Sequence, residues 1–429
     1  MIDSSSFLGG SVEPFWRVYA VHLNNVVVYE TLEKFRIGNL RKEDVENVKS
    51  IMSDADDPFS NSPKRHPALI INKDKPFNAE TPLAVLGDSY LTPQDLMYVR
   101  SHFPVPDIDP QTYQLEVEGL GCQPLTLSLA DLKKFPKTTV VATLQCGGNR
   151  RLEMKSRKNL KGLDWRGGAI ANCEWSGARL VDVLAAAGFD EEKTGSARHV
   201  IFEGMDVDPA MEHFSASIPI EKAADPRGDV ILAYEMNGEP LSRDHGFPLR
   251  AVVPGVVGVR NVKWLGRLEV SEEEANSHWQ KKDYKGFNPS TDYNTVDWSN
   301  AESIQEMPVT SSVTSCETDP QTGDLIVKGY AWSGGGRKIL RVDLTSDGGN
   351  TWSTAEKMTQ SEARHPRHWG WTLWEARVKP GEEVWTKAVD SSHNVQPETF
   401  ENIWNLRGVL SNAYCRYRVK QGNALPAQD

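Results

Sequence analysis

The sequence predicts an α+β domain followed by an all-β sandwich, and three observations lead there. Between Pro67 and about residue 300, strand-like alternation and helix-like apolar spacing interleave without the regular βαβ rhythm of a doubly wound sheet. After that point the text turns into short alternating runs: "GDLIVKGYAW", "ILRVDLTS", "WGWTLWEARV", "EVWTKAVDS" and "AYCRYRVK". A tight-turn signal, Asp347-Gly348-Gly349-Asn350, separates two of these runs, as in a hairpin.

Taken in order, residues 1–43 hold "PFWRVYAVH" and "VYETLEKFRIGNL", the second with the spacing of a short helix. This stretch is too short for an independent core, so it reads as the tail of something larger or an arm on the main body. Residues 44–66 are polar and end in "SDADDPFSNSPKRH", the composition of an exposed linker. Within 67–300, "YQLEVEGL" and "TVVATLQC" read as strands. "LADLKKF" and "RLVDVLAAAGF" read as helices, the second closed by Gly188. Residues 301–429 carry enough short strands for a sandwich of immunoglobulin type, without the Cys…Trp…Cys framework of antibody domains.

The 429 residues are enough for two or three domains with real cores. No apolar run approaches the ~20 residues that span a bilayer, so no membrane association is expected. Met1 to Gly10 has neither a basic start nor an apolar stretch, and no Arg-rich transit peptide follows. The formal net charge of -11 argues against a general affinity for nucleic acid. An acidic chain that binds a small anion must concentrate its cations in one pocket. Five cysteines at irregular spacing, with no Cys-x-x-Cys pair, make a zinc site or a disulfide framework improbable. Reduced thiols in a non-secreted enzyme are the simpler reading.

Chemistry concentrates in "TLQCGGNRR", Thr143 to Arg151. A strand-like run delivers Cys146, two glycines permit a tight turn, and Asn149, Arg150 and Arg151 follow. Neighbouring guanidinium groups favour a thiolate, which is either a nucleophile or a soft metal ligand. The plainer alternative is a buried apolar thiol ahead of an ordinary basic turn. Other cations stand in apolar company: Arg100 near His102, Arg250 in "DHGFPLR", Lys263 before Trp264, and Arg407 after "IWNL". A cation in such surroundings needs a carboxylate or a bound anion as partner, because an unpaired buried charge is costly.

These same stretches carry a resemblance to a known family. "TLQCGGNRR", "KGLDWRGGAI", "YEMNGEPLSRDHGFPLRAVVPGVVGVRNVKWLGR", "SHWQKKDYKGF", "KGYAWSGGGRKI", "DLTSDGGNTW" and "IWNLRGVLSNA" strongly resemble sulfite oxidase of the animal type. The likeness runs from about Pro14 nearly to the C-terminus, in the same order. It implies an α+β molybdopterin domain at 67–300 and an immunoglobulin-like dimerisation domain at 301–429. It implies oxidation of sulfite to sulfate by oxygen-atom transfer at a molybdenum-pterin centre, in a homodimer of the mitochondrial intermembrane space. Cys146 resembles the protein thiolate on molybdenum. Tyr98, Val99, Arg100, Ser101, His102, Asp206, His245, Arg250, Asn261, Val262 and Lys263 match positions that hold the pterin and its phosphate. Arg100, Arg151, Trp165, Tyr284 and Arg407 match the pocket for sulfite or sulfate, and Cys146, Tyr284, Arg100 and Arg151 are the expected catalytic set. Arg suits this task because its planar fork grips two oxyanion oxygens at once.

Two departures stand out. The family usually reads Cys-Ala-Gly-Asn where this chain has Cys146-Gly147-Gly148-Asn149, which should loosen the turn slightly. Animal members also carry a b-type haem domain that passes electrons to cytochrome c. Here only a segment resembling that domain's end, "GGSVEPFWRVYAVH", is present. Residues 1–43 are therefore expected to be its residual tail, with His22 in a surface or packing role and haem absent from this chain. Two rival readings are the molybdenum domain of a eukaryotic nitrate reductase and a catalytically silent dimeric binding module.

Overall fold

The computed structural model describes residues 26–38, 41, 57–208 and 211–419. His22, most of 1–43 and residues 44–56 lie outside the described residues, and with them most of the tail-and-linker reading. Within the described part of that stretch, helix α1 (Val26–Glu33) forms where the apolar spacing predicts one, and it buries none of its residues.

The first set of strands runs β1 (Ile70–Lys73), β2 (Asn78–Glu80), β3 (Val99–Arg100), β4 (Gln114–Gly119), β5 (Leu125–Ser128), β6 (Lys137–Gln145) and β7 (Ile170–Arg179). It continues with β8 (His199–Val207), β9 (His213–Pro219), β10 (Ile231–Met236), β11 (Glu239–Pro240), β12 (Arg250–Val252) and β13 (Leu265–Ser271). They form three sheets, ordered β1-β2-β3, β11-β10-β7-β6 with β12 beside β10, and β5-β4-β13-β8-β9. One pairing, β4 with β13, is parallel; the rest are antiparallel, as an α+β fold requires. Short helices fill the links. At Leu129–Leu132, Ser128 Oγ accepts the Asp131 N–H and the Asp131 carboxylate accepts the Ser128 N–H, a reciprocal cap written in "SLAD". At Leu180–Ala186 the helix buries Leu180, Val183 and Leu184 and ends at Gly188, whose φ of +84° suits a residue without Cβ.

The second set builds a β-sandwich. One sheet is ordered β14 (Thr310–Thr318), β15 (Leu325–Trp332), β19 (Thr372–Val378), β18 (Lys357–Thr359). The other is β17 (Ser353–Thr354), β16 (Ile339–Thr345), β20 (Glu383–Asp390), β21 (Cys415–Arg418). Val313, Val327, Val342, Leu344, Trp374, Val384 and Ala388 meet between them. The Asp347–Asn350 turn does close a hairpin, but the returning strand is the two-residue β17 rather than the longer run after it. The strand β14 escaped the sequence reading because Ser and Thr dominate "TSSVTSCET"; the hydroxyls of Thr310, Ser311 and Ser312 are buried and bonded, as in Ser311 Oγ to Gln396 Oε1 at 2.7 Å.

The two sets share a core. Tyr330, Trp332 and Trp371 of the sandwich pack in one cluster with Val256, Val257 and Tyr284. A further link near Cys146 is Arg150, fully buried and held at φ +63°. Its guanidinium donates to both Glu153 carboxylate oxygens at 2.8 and 2.6 Å, to the Ser311 carbonyl at 3.1 Å and to the Tyr414 carbonyl at 3.3 Å. Ser411 Oγ in turn donates to the Arg150 carbonyl at 3.0 Å. Arg150 thus ties the Cys146 loop to β14 and to the segment just before β21. Replacing it with Met removes the donor from two carbonyls and the partner from the Glu153 carboxylate, so Arg150→Met should lower stability by about 2–4 kcal/mol. The checking measurement is the urea unfolding midpoint against wild type.

Candidate active site around Cys146

Cys146 follows directly on β6. The pairing of β6 with β7 runs unbroken from Lys137↔Ala178 to Gln145↔Ile170, which fixes where the strand delivers it. The Cys146 N–H extends the ladder to the Ala169 carbonyl at 3.0 Å, and the Asn149 N–H closes the turn on the Cys146 carbonyl at 2.9 Å. Asn149 locks the turn from inside. Its Oδ1 accepts the Ala169 N–H at 3.0 Å and its Nδ2 donates to Tyr330 at 3.1 Å. Only 5% of Cys146 is exposed, and it faces a cavity enclosing about 630 Å³ of space, part of it open to solvent.

One side of that cavity is polar. It gathers the 97–102 segment, Asp206, His245, Arg250, Asn261, Val262, Lys263 and Tyr284. Arg250 donates to the carbonyls of His245 at 3.0 Å and Asn261 at 3.1 Å, and its guanidinium lies 4.9 Å from the centre of the Trp175 ring. Burial lowers Arg250 to about 10. Lys263 donates to the Asp244 carbonyl at 2.8 Å. Burial, helped by Arg250 and Arg100, brings its ammonium down to about 7 against the pull of Asp244 and Asp206. Burial raises the Asp206 carboxyl to about 7, with Lys263 opposing. Burial also lowers His245 to about 3, and His102 falls well below its ordinary value for the same reason with Arg100 and Lys263 adding to it. Both imidazoles are therefore neutral hydrogen-bonding groups at neutral pH. Lys263 is aimed by backbone strain: Trp264 takes φ +49°, rare for a bulky residue, and its ring lies 4.1 Å beneath the Lys263 ammonium.

Three guanidinium groups converge beside Cys146 and Tyr284. Arg100 Nη1 donates to Asn78 Oδ1 at 3.0 Å and to the Ser101 carbonyl at 2.7 Å, while Nη2 meets His102 Nε2 at 2.8 Å. Arg151 donates to three carbonyls: Arg407 at 3.2 Å, Gly408 at 3.0 Å and Leu163 at 3.0 Å. Arg407 pairs with Asp283 at 2.7 Å. Burial pulls Arg151 down, while the nearby Cys146 thiol and Tyr284 phenol oppose it. Burial likewise pushes the Tyr284 phenol up, so it stays protonated and can donate. Among the described residues no carboxylate reaches ion-pair distance of Arg100 or Arg151. Both are bonded to neutral groups only, which leaves their charge for an anion.

Family models match two stretches of the chain: an oxidoreductase molybdopterin binding domain at residues 102–279 and a Mo-co oxidoreductase dimerisation domain at 301–422. The mitochondrial sulfite oxidase of Drosophila melanogaster is 53% identical over 96% of this chain and 73% of its own length. That of Rattus norvegicus is 54% identical over 96% of this chain and 76% of its own. The chain belongs to the sulfite oxidase family. A rice nitrate reductase is more distant, 37% identical over 83% of this chain and 41% of its own length. In structure, the sulfane dehydrogenase SoxCD of Paracoccus pantotrophus superposes with a TM-score of 0.69 at 28% identity, covering 86% of this chain and 90% of that one.

The residues fit the molybdenum-pterin group of this family. Asp206 Oδ1 and Arg250 Nε, both in the cavity lining, are buried without a hydrogen-bond partner, as are Trp165 Nε1 and Arg407 Nε outside that lining. Among the described residues no three His, Cys, Asp or Glu side chains gather as a metal site. A metal held by Cys146 would therefore need its other ligands from a non-protein group, the kind of donor a dithiolene pterin would supply.

The structure brings most of the sequence-derived candidates together and sets a few apart. Tyr98, Arg100, Ser101, His102, Cys146, Asp206, His245, Arg250, Asn261, Val262, Lys263 and Tyr284 line one cavity. Val99 turns away into a small core with Leu69, Phe77 and Ala79 and does not line the cavity. Arg151, Arg407 and the fully buried Trp165 form the adjoining wall rather than the cavity lining. The sequence reading missed Phe214, which stacks on His102 at 5.0 Å, and Gly258, where a Cβ would fall 2.7 Å from the Gln145 carbonyl. An ordinary strand aromatic and one glycine in a glycine-rich stretch give no signal of their own.

The glycine pair after Cys146 has two different tasks. A Cβ at Gly148 would sit 2.5 Å from Arg151 Nη2, and Cβ atoms at Gly162 and Gly408 would sit 2.8 and 2.9 Å from the same side chain. Arg151 is caged by three glycines and three carbonyls, so it has nowhere to retreat. At Gly147 a Cβ would meet Val257 Cγ2 at 3.1 Å and the Tyr284 ring at 3.3 Å, a contact that small shifts relieve. Gly148→Ala should therefore weaken sulfate binding by the cofactor-loaded protein about tenfold or more, ~1.4 kcal/mol or above. Gly147→Ala should stay within about threefold, ~0.7 kcal/mol. Titration calorimetry with sulfate checks both.

Proposed function

We propose that this chain oxidises sulfite to sulfate at the cavity beside Cys146. The observation that carries this is the gathering of Arg100 and Arg151 near a buried thiol, with Arg407 beside Arg151 and the first two bonded only to neutral groups. Such a nest suits a small dianion.

Cys146 would hold the molybdenum. Tyr98, the Val99 backbone, Arg100, Ser101, His102, Asp206, His245, Arg250, Asn261, Val262 and Lys263 would hold the pterin and its phosphate. When bound, the molybdenum centre supplies the oxygen-atom transfer and takes up the two electrons that sulfite gives up. The protein's own share is binding, orientation and field. Arg100, Arg151 and Arg407 draw the dianion in and fix its oxygens, each fork offering paired donors. The protonated Tyr284 phenol donates to an oxyanion oxygen. Trp165, fully buried, seals the wall behind Arg151 and keeps water from screening these charges.

We further propose the division into a cofactor domain at 67–300 and a sandwich at 301–429, with homodimer formation through the latter. No ladder between the strands β1–β21 crosses residue 300, which supports the division. The two electrons require an acceptor, for which we propose a b-type haem domain and cytochrome c in the mitochondrial intermembrane space. The mitochondrial designation of the Drosophila and rat relatives supports the compartment.

Sulfite-dependent ferricyanide reduction by molybdenum-loaded protein tests the activity; reduction of nitrate without sulfite oxidation would overturn it in favour of nitrate reductase chemistry. Protein isolated from a molybdopterin-competent host without molybdenum or pterin would favour a silent binding module. Cys146→Ser should abolish sulfite oxidation while the pterin stays bound through its many other contacts, measured by pterin fluorescence after release. Arg100→Gln should raise KM for sulfite about ten- to hundredfold, the ~1.5–3 kcal/mol of hydrogen bonds to a charged group.

A further inference from the structure

Asp283 ends the π-helical turn Trp279–Asp283 and immediately precedes Tyr284. Its Oδ1 faces two partners at once: Arg407 Nη2 at 2.7 Å and His278 Nε2 at 3.0 Å. Among the described residues it is the one carboxylate ion-paired to the three site guanidiniums. Burial pushes the Asp283 carboxyl up, but His278, Arg407 and Arg100 outweigh it and hold the carboxyl below its ordinary value. The group is therefore a standing negative charge at the edge of an anion site. Both partners of the pair are about four-fifths covered, at 21% and 19% side-chain exposure, so solvent screens it only partly. Arg407 Nε, by contrast, is buried with no acceptor.

The geometry points to Asp283 as a built-in competitor for Arg407: its carboxylate occupies the guanidinium edge that a dianionic substrate or product would use, and His278 holds it in place. This rests on the reading of Arg407 as part of the sulfite and sulfate pocket. Arg100 and Arg151 stay committed to the anion, whereas Arg407 is shared between the anion and Asp283. A dianion entering the nest must displace the carboxylate from Arg407, and Asp283 reclaims the guanidinium as the product departs. The competition trades affinity for release. Without it, three uncompensated guanidiniums would retain a doubly charged product. Asp283 acts here through Arg407, as a positioning residue and counter-charge, and His278 acts through Asp283.

The test uses cofactor-loaded protein of matched molybdenum content at fixed ionic strength. Sulfate binding is measured by titration calorimetry, and kcat and KM for sulfite are measured in parallel. Asp283→Asn keeps the shape and removes the charge. It should bind sulfate about five- to twentyfold more tightly, ~1–1.8 kcal/mol, with KM for sulfite falling alongside and kcat falling as release slows. His278→Ala, at a largely exposed position, removes the group that holds Asp283 and should shift sulfate affinity the same way by a smaller factor. Unchanged or weaker sulfate binding in both variants overturns the competition. Arg407→Met separates this from its premise. If it leaves sulfate affinity unchanged, Arg407 lies outside the anion pocket and the pocket assignment fails; if it weakens sulfate while Asp283→Asn brings no gain, the competition alone fails.

Discussion

The structure depends on keeping positive charge out of water without giving it a carboxylate. Arg100 and Arg151 spend their donors on amide and carbonyl oxygens and an imidazole. Neutral partners satisfy hydrogen bonds but leave the charge in place. A cation so treated is costly until an anion arrives, most of all the buried Arg151, and that cost makes the site selective for one. In a chain of net charge -11 the field would otherwise repel a dianion. Concentrating the cations behind low-dielectric walls reverses its sign locally.

Much of the surrounding architecture can be read as support for that arrangement. The β6–β7 ladder sets the position of Cys146, and Asn149 fixes the turn from both ends. Gly148, Gly162 and Gly408 come from three separate loops and shape the space around one guanidinium. The sandwich contributes directly to the same centre. Arg150 anchors the Cys146 loop to β14 and to the segment just before β21, and Leu410 donates its N–H to the Gly147 carbonyl at 2.8 Å. Loss of the contact between the two sets of strands would therefore reach the thiol within a few bonds.

How far the sequence made this legible varied with the kind of signal. Alternating strands such as Gln114–Gly119 and Leu325–Trp332 were plain, because half-buried strands write their burial as period two. Thr310–Thr318 was not, because a strand whose hydroxyls are satisfied inside the core carries no apolar alternation. The helix closing at Gly188 was legible from its cap, and the hairpin turn at Asp347–Asn350 from its glycines, while the two-residue strand that follows was too short to leave a pattern. In the site, Cys146 and the arginines stood out because charge in apolar company demands a reason. The tasks of Gly147 and Gly148 differ only by which side chain lies opposite, a fact of three dimensions. Asp283 was likewise silent: in "KKDYKG" it reads as an ordinary surface acid, and only the fold brings Arg407 to it.

If the guanidinium nest beside Cys146 receives a dianion, a crystal of the cofactor-loaded protein grown with sulfate should show it there. Sulfate is expected within hydrogen-bonding reach of Arg100 and Arg151, beside Cys146 and in contact with the Tyr284 hydroxyl. Sulfate bound elsewhere, with Arg100 and Arg151 still turned only to their carbonyl and amide partners, would contradict it.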